Sequence, residues 1–344
     1  MNKKYRVAVL GLGHWYSAYG LGRALRESSN AELVAAADAD AAHLDDFVRT
    51  FGIKGYADSG DLLAKEQVDI VHIASPVSQI RDLTVRAAQA GKHMILGKPM
   101  AMTVAEADEM VAAVEKAGVR CLPFQCHLRL RYPDFKARID EGEIGDVLLM
   151  HQTSRWSIAE DWMNSGRPGW FADPKHVPGG ALIDEGIYWV DFFRWMTGSE
   201  VVQVEAKVAN LIDKSLGVED WGFAMFTLAN GVICTLEGAW TIVSPRRTAP
   251  SPKQNSVVRI EVVGNRGEMM DQFFRMPGRA VLAAGAADWV FERNTETGPS
   301  SLDHLIACLE NGQQTIGTIQ DARQSFVAAM AAYDAARAGK PVRI

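Results

Sequence analysis

The sequence predicts an α/β chain in two parts: an N-terminal doubly wound parallel sheet, followed by an α+β domain with a large, open, mainly antiparallel sheet. Three observations carry this. Strand-like and helix-like runs alternate through the first third. An apolar strand runs straight into Gly11-Leu12-Gly13, the kind of turn by which such a sheet enters its first helix. Beyond residue 125 the grammar changes, and long strands follow one another directly. At 344 residues the chain is also long for a single hydrophobic core, so two domains are expected, 1–124 and 125–344.

Taken in order, the first part reads as strands at 5–10, 32–37, 53–56, 68–75, 93–96 and 119–124, with helices at 17–28, 40–51, 78–90 and 103–117. The last of these helices opens with Thr103-Val104-Ala105-Glu106, a capping box, and closes at Gly118. One helix is expected near 132–142 and another at 180–197. Asn230-Gly231 separates two alternating runs within 223–240, a strong hairpin signal, and 257–273 reads as a second hairpin. Helices at 301–311 and 321–338 are expected to cover this second sheet, with the last one able to return toward the first domain. The segment 244–253, SPRRTAPSPK, reads as a mobile surface loop or as a lid near the active site.

Composition narrows the function classes. The net charge is −6 and 48% of residues are apolar, which gives no electrostatic reason to expect nucleic acid or an anionic membrane as partner. The N-terminus passes from a basic start into the first strand without a signal-peptide core, and no apolar run reaches spanning length. A cytoplasmic location is expected. Cys121, Cys126, Cys234 and Cys308 are too few and too scattered for a disulfide framework. The eight histidines show no metal-ligand spacing.

The glycine turn points to a dinucleotide. Gly11 permits the tight turn, and Gly13 lets the backbone approach a pyrophosphate. The helix that follows would aim N–H groups at that charge, and His14 and Trp15, between the turn and that helix, are expected cofactor contacts. Tyr16 stands where the fingerprint has its third small residue. Asp38 ends the second strand at the place where a carboxylate accepts both hydroxyls of an adenosine ribose and repels a 2′-phosphate. No Arg follows it, so NAD is favoured over NADP. The bland alternative is an ordinary strand-to-helix turn with Asp38 as a helix cap.

Further on stand Ser75-Pro76 after the fourth strand, Gly97-Lys98-Pro99 after the fifth, and Gly179-Gly180-Ala181-Leu182-Ile183-Asp184-Glu185-Gly186-Ile187-Tyr188 in the second part. With the glycine turn, these resemble the glucose-fructose oxidoreductase, inositol dehydrogenase and MocA family of nicotinamide-dependent oxidoreductases, over essentially the whole chain. The resemblance implies cofactor contacts from Ser75, Pro76, Lys98 and Gln125. It also implies that Lys98 sits beside the nicotinamide and the reacting carbon. Asp184 and Tyr188, at i and i+4, share a helix face. The resemblance assigns proton transfer to Tyr188, as in a tyrosine-bearing subset, with Asp184 orienting the substrate hydroxyl or Lys98. A nearby Lys98 ammonium would lower the phenol pKa. The chain departs from the family at Gly97, where Glu is usual, and at Ile80, where His is usual.

Residues 153–180 read as an aromatic loop carrying Arg155, Trp156, Trp162, Trp170 and His176. Indole faces stack on sugar C–H surfaces while Arg and His bind hydroxyls, so these residues suit a carbohydrate or cyclic polyol pocket. Packing of the loop, or a subunit interface, is the competing reading for each tryptophan. The expected function is hydride transfer between NAD and a carbinol carbon of a sugar, polyol or cyclic diol, in a homodimer or homotetramer. Two alternatives stand beside it: a glycoside hydrolase or lyase that uses NAD transiently, and a non-catalytic NAD-binding sensor, suggested by Gly97 and Ile80.

Overall fold

Strand β1 (Tyr5–Leu10) is buried from Val7 onward because it lies in the middle of a parallel sheet. The structure is a computed structural model and describes residues 4–157, 169–242, 257–273, 279–284, 287–292 and 298–344. The chain divides into two compact units, one ending at Cys126 and joined by Pro299–Arg323, the other formed by His127–Gly298 and Gln324–Ile344.

In the first unit the strand order is β3 (Lys54–Tyr56), β2 (Ala31–Ala37), β1, β4 (Ile70–Ile73), β5 (His93–Leu96) and β6 (Cys121–Pro123), with every pair parallel. The order reverses between β1 and β4, which opens a crevice at the carboxyl ends of the strands. Helices α1 (Trp15–Glu27), α2 (Ala41–Phe51), α4 (Val77–Gln89) and α5 (Val104–Ala117) follow the expected alternation. Helix α3 (Ser59–Lys65) was not anticipated; at 7 residues it is too short to show a periodic stripe, and Asp58 caps it through Gly60 and Asp61 N–H.

The helix expected at 301–311 forms, as Ser301–Glu310 (α9), but in a different place. Leu302, Leu305 and Ile306 join Val7, Leu25, Ile70, Ile95 and Leu122 in a core of the first unit and do not cover the second sheet. Its helical spacing announces an apolar stripe but cannot say which core receives it.

The second unit begins with α6 (His127–Arg131) and α7 (Pro133–Asp140) and is built on nine strands. These are β7 (Val147–Ser157), β8 (Val201–Ala209), β9 (Trp221–Leu228), β10 (Ile233–Ile242), β11 (Val257–Gly264), β12 (Gly267–Phe273), β13 (Arg279–Ala284), β14 (Ala287–Glu292) and β15 (Val342–Arg343). Their order is β14-β13-β12-β11-β7-β10-β9-β8-β15, antiparallel except for β7 beside β10. Both hairpins form, and Gly231 turns the first with φ 89°.

Helix α8 (Ala181–Thr197) lies on one face of this sheet. Close approach is possible because Gly186 faces Leu236, while Gly222 and Gly238 lie under Leu182 and Ala181; a Cβ on Gly238 would stand 2.6 Å from the Ala181 carbonyl. The last long helix, α10, spans Ile319–Ala338. Among the described residues no helix is long and apolar enough to cross a membrane.

Candidate active site

In the first unit the fingerprint residues meet at the switch point. Gly11 has φ 79°, and a Cβ there would lie 2.5 Å from Ser75 Cβ; one on Gly13 would lie 2.6 Å from Pro76 Cδ. Glycine is therefore required twice, and Ser75-Pro76 forms the wall against which the turn folds. His14 N–H donates to the Ala74 carbonyl at 2.8 Å, and no side chain caps α1. Asp38 Oδ2 accepts from Leu12 N–H at 2.5 Å and Oδ1 from Asp40 N–H at 2.7 Å, which fixes the half-buried carboxylate at the end of β2. Trp15, 43% exposed, is available for stacking. A turn that no Cβ could enter, an uncapped helix start and an anchored carboxylate together fit a dinucleotide.

Lys98 follows β5 at the same carboxyl edge and is buried. The nearby His14 imidazole is held well below its usual range by burial, by the Lys98 ammonium and by His72. Tyr16, in the place of the third glycine, lies 2.9 Å from His14 Nε2 through its hydroxyl, with the two ring centroids 4.2 Å apart. The two departures from the family are neighbours: a Cβ on Gly97 would come within 3.2 Å of Ile80 Cδ1 and 2.8 Å of the Ile73 carbonyl oxygen. Ile80 is fully buried, and the tighter of the two approaches is to the Ile73 backbone, so any side chain at 97 would have to displace it.

Gln125 stands just after β6, in the turn Phe124–Cys126; it is wholly buried, its amide donates to the Ala322 carbonyl at 3.1 Å, and its Oε1 has no hydrogen-bond partner among the described residues. The strand-end position is as read; the inward rotation of the side chain has no sequence signal.

In the second unit Asp184 and Tyr188 do lie one turn apart on α8, Asp184 buried and Tyr188 half-buried. Trp240 Nε1–H donates to Asp184 Oδ2 at 3.2 Å. Within this unit the Tyr188 phenol is pushed well above its usual range by burial and then by the charges of Glu185 and Asp184. This opposes the lowering expected from Lys98. His127, which sequence reasoning did not single out, packs edge-on against Tyr188 with ring centroids 4.7 Å apart. A lone histidine opening a helix of 5 residues carries no periodic signal that could have pointed there.

Strand β7 runs to Ser157, so Arg155 and Trp156 belong to a strand and not to a loop. Alternation then separates them. Gln152 and Ser154 pair with Leu236 and Gly238 on the face under α8, whereas Arg155 points to the other face. There its guanidinium closes on Glu237 at 2.6 and 3.2 Å, which Trp221 Nε1–H also contacts at 3.1 Å. Arg155 is thus a sheet-face ion-pair residue and not a substrate ligand for the α8 face. Trp170, half-buried, stacks on Phe171 at 3.9 Å, and His176 lies in the turn that follows. Trp162 and the 244–253 segment lie outside the described residues.

A dinucleotide turn in one unit, followed in the chain by a helix that carries a carboxylate and a phenol, marks a nicotinamide-dependent oxidoreductase. Comparison with known proteins places the chain more narrowly. Residues 5–124 match the family described as an oxidoreductase family with an NAD-binding Rossmann fold, and residues 132–270 match the GFO/IDH/MocA C-terminal domain. The chain belongs to the GFO/IDH/MocA oxidoreductases and is an NAD-dependent enzyme. It is 27% identical to scyllo-inositol 2-dehydrogenase (NAD(+)) of Bacillus subtilis, over 100% of this chain and 97% of that one. It is 28% identical to D-apiose dehydrogenase of Paraburkholderia graminis, over 99% and 90%. Aldose-aldose oxidoreductase from Caulobacter crescentus superimposes with a TM-score of 0.83 at 25% identity, covering 99% of this chain and 100% of that one.

Proposed function

We propose that this enzyme oxidises or reduces a carbinol carbon of a sugar or cyclic polyol, with Lys98, Tyr188 and Asp184 as its catalytic residues. The observation that carries the substrate class is the full-length similarity to enzymes named for inositol and apiose. Bound NAD supplies the hydride acceptor, and NADH the donor. Asp38 holds the adenosine ribose and favours NAD over NADP; Gly11, Gly13, His14 and Trp15 line the pyrophosphate turn, with Ser75 and Pro76 behind it. The Lys98 ammonium offsets negative charge that develops on the substrate oxygen. The Tyr188 phenol, pushed well above its usual range, donates its proton to that oxygen in the reducing direction; in the oxidising direction it must first give that proton up to solvent, and then accepts the hydroxyl proton as phenolate. Asp184 accepts a hydrogen bond from the substrate hydroxyl. Trp156, Trp170 and His176 remain the candidates for contact with the ring of the substrate.

We place the enzyme in the cytoplasm, which its four free, buried cysteines suit. We assign it a homo-oligomeric state, formed through the sheet face that α8 leaves uncovered, where Phe223 is 40% and Ile233 37% exposed. The test is a panel of sugars, inositols and cyclic diols with NAD and separately NADP, followed by absorbance of the reduced cofactor. Sustained reduction of NAD by one class establishes the reading. Silence with tight NAD binding refutes it and favours transient-redox hydrolysis or a sensor.

A further inference from the structure

Helix α8 starts at Gly180, which has no side chain to cap it. Its first four N–H groups are nevertheless all satisfied. Gly180 N–H donates to Glu219 Oε2 at 2.9 Å, Ala181 N–H to the Glu219 carbonyl at 3.0 Å, and Leu182 N–H to Glu219 Oε1 at 3.0 Å. Ile183 N–H donates to the Tyr333 hydroxyl at 3.2 Å, and that hydroxyl donates to Glu219 Oε1 at 2.7 Å. The buried Glu219, through its carboxylate and its backbone carbonyl, and the buried Tyr333 phenol thus supply these four partners from distant parts of the chain. The next amide, of Asp184, makes the first bond within the helix, to the Gly180 carbonyl.

The loop that presents Glu219 is itself built to hold still. Asn210 Nδ2 donates to the carbonyls of Asp213, Leu216 and Val218, each at 3.1 Å. Asp220, fully buried, accepts from Leu211, Ile212 and Asp213 N–H at 2.6 to 2.8 Å. The Asp220 carbonyl in turn accepts Trp240 N–H at 2.7 Å, and the Trp240 indole N–H reaches Asp184. The same loop therefore fixes the helix start from one side and the ring that touches Asp184 from the other.

We propose that Glu219, Tyr333 and Trp240 are positioning residues for the reaction: Glu219 and Tyr333 fix the first turn of α8, and Trp240 fixes the rotamer of the Asp184 carboxylate. This rests on the catalytic reading of Asp184 given above. A carboxylate with two rotatable bonds, held by an indole N–H on a helix end that cannot fray, keeps one orientation toward the substrate hydroxyl. The Glu219 carboxyl, pushed up by burial and pulled back by the hydrogen bonds it accepts, also occupies the terminus that an anionic ligand group would otherwise seek.

The experiment is a mutant cycle on the full-length enzyme, assayed with NAD and the panel alcohol that gives the wild type its highest rate. Trp240→Phe keeps the ring and removes the donor; it should lower kcat by about 10-fold, change KM by less than about 3-fold, and leave the affinity for NADH unaltered. Tyr333→Phe should lower kcat by about 5-fold in the same pattern. In an Asp184→Ala background, Trp240→Phe should have no further effect on kcat, because the group it orients is gone. Glu219→Gln is the harsher variant, and hydrogen exchange at the amides of residues 180–183 reads its effect without turnover: faster exchange is expected. Wild-type kcat in Trp240→Phe, an equal loss in the Asp184→Ala background, or unchanged exchange in Glu219→Gln would each overturn the proposal. Full activity of Asp184→Ala would instead remove the catalytic reading beneath it.

Discussion

Asp191 offers the sharpest test of how α8 is held at its other end. It is fully buried and accepts from Arg129 Nε and Nη2, each at 2.8 Å, and from Ser325 Oγ at 3.2 Å. Arg194, one turn on, lies 3.8 Å from Asp191 but is paired in a fork with Glu200 at 2.6 and 2.7 Å. Asp191→Asn keeps the shape and removes the charge. The loss then falls mainly on Arg129, whose side chain is only 7% exposed and would face a neutral amide that is partly a donor. Breaking a buried pair in this way costs about 3–5 kcal/mol. At roughly 2–4 °C per kcal/mol for a domain of this size, the calorimetric transition of the second unit should fall by about 6–20 °C. Replacing both partners, Arg129→Met with Asp191→Leu, removes both charges and should cost less than the single change. A shift below about 2 °C in Asp191→Asn, or a double variant less stable than the single one, would refute the reasoning.

Four other outcomes are expected. Gly97→Ala should destabilise by about 1–3 kcal/mol through its contacts with Ile73 and Ile80. Adding Ile80→Val should give a total below the sum of the single losses, and strict additivity in urea unfolding would sink the idea that the two departures are coupled. The buried His72 imidazole is held at about 4 against a usual 6.5, so the native state prefers it neutral. Stability should be full above 6.5, fall by about 3 kcal/mol in total as the pH drops toward 4, and lose this part of its decline in His72→Gln; an unchanged pH dependence in that variant argues against it. Asp38→Ala should weaken NAD about 10-fold or more and relax discrimination against NADP, read by fluorescence titration; an unchanged preference means the ribose is held elsewhere. Tyr188→Phe should lower turnover by about 100-fold or more with NAD affinity intact, and an active variant rejects the proton-transfer role.

What could be read from the chain alone was whatever is encoded by short-range spacing. The glycines at 11 and 13 and the acid at 38 are local demands of a turn and a strand end, and Asp184 and Tyr188 share a face because i and i+4 must do so in any helix. Strand and helix periods gave the parallel sheet and both hairpins for the same reason. What the chain could not reveal depends on partners far away in sequence. Gly180 offers no cap of its own; the cap arrives from Glu219, and from Tyr333 on the last long helix. Arg155 read as a ligand until strand pairing turned it to the face where Glu237 neutralises it. The stripe of Leu302, Leu305 and Ile306 was visible as a stripe, but its packing with Val7 and Ile95 belongs to the folded chain. Gly97 and Ile80 looked like two separate losses and are one contact. Local periodicity determines which elements form and which side chains share a face; only close packing decides which remote residue meets which.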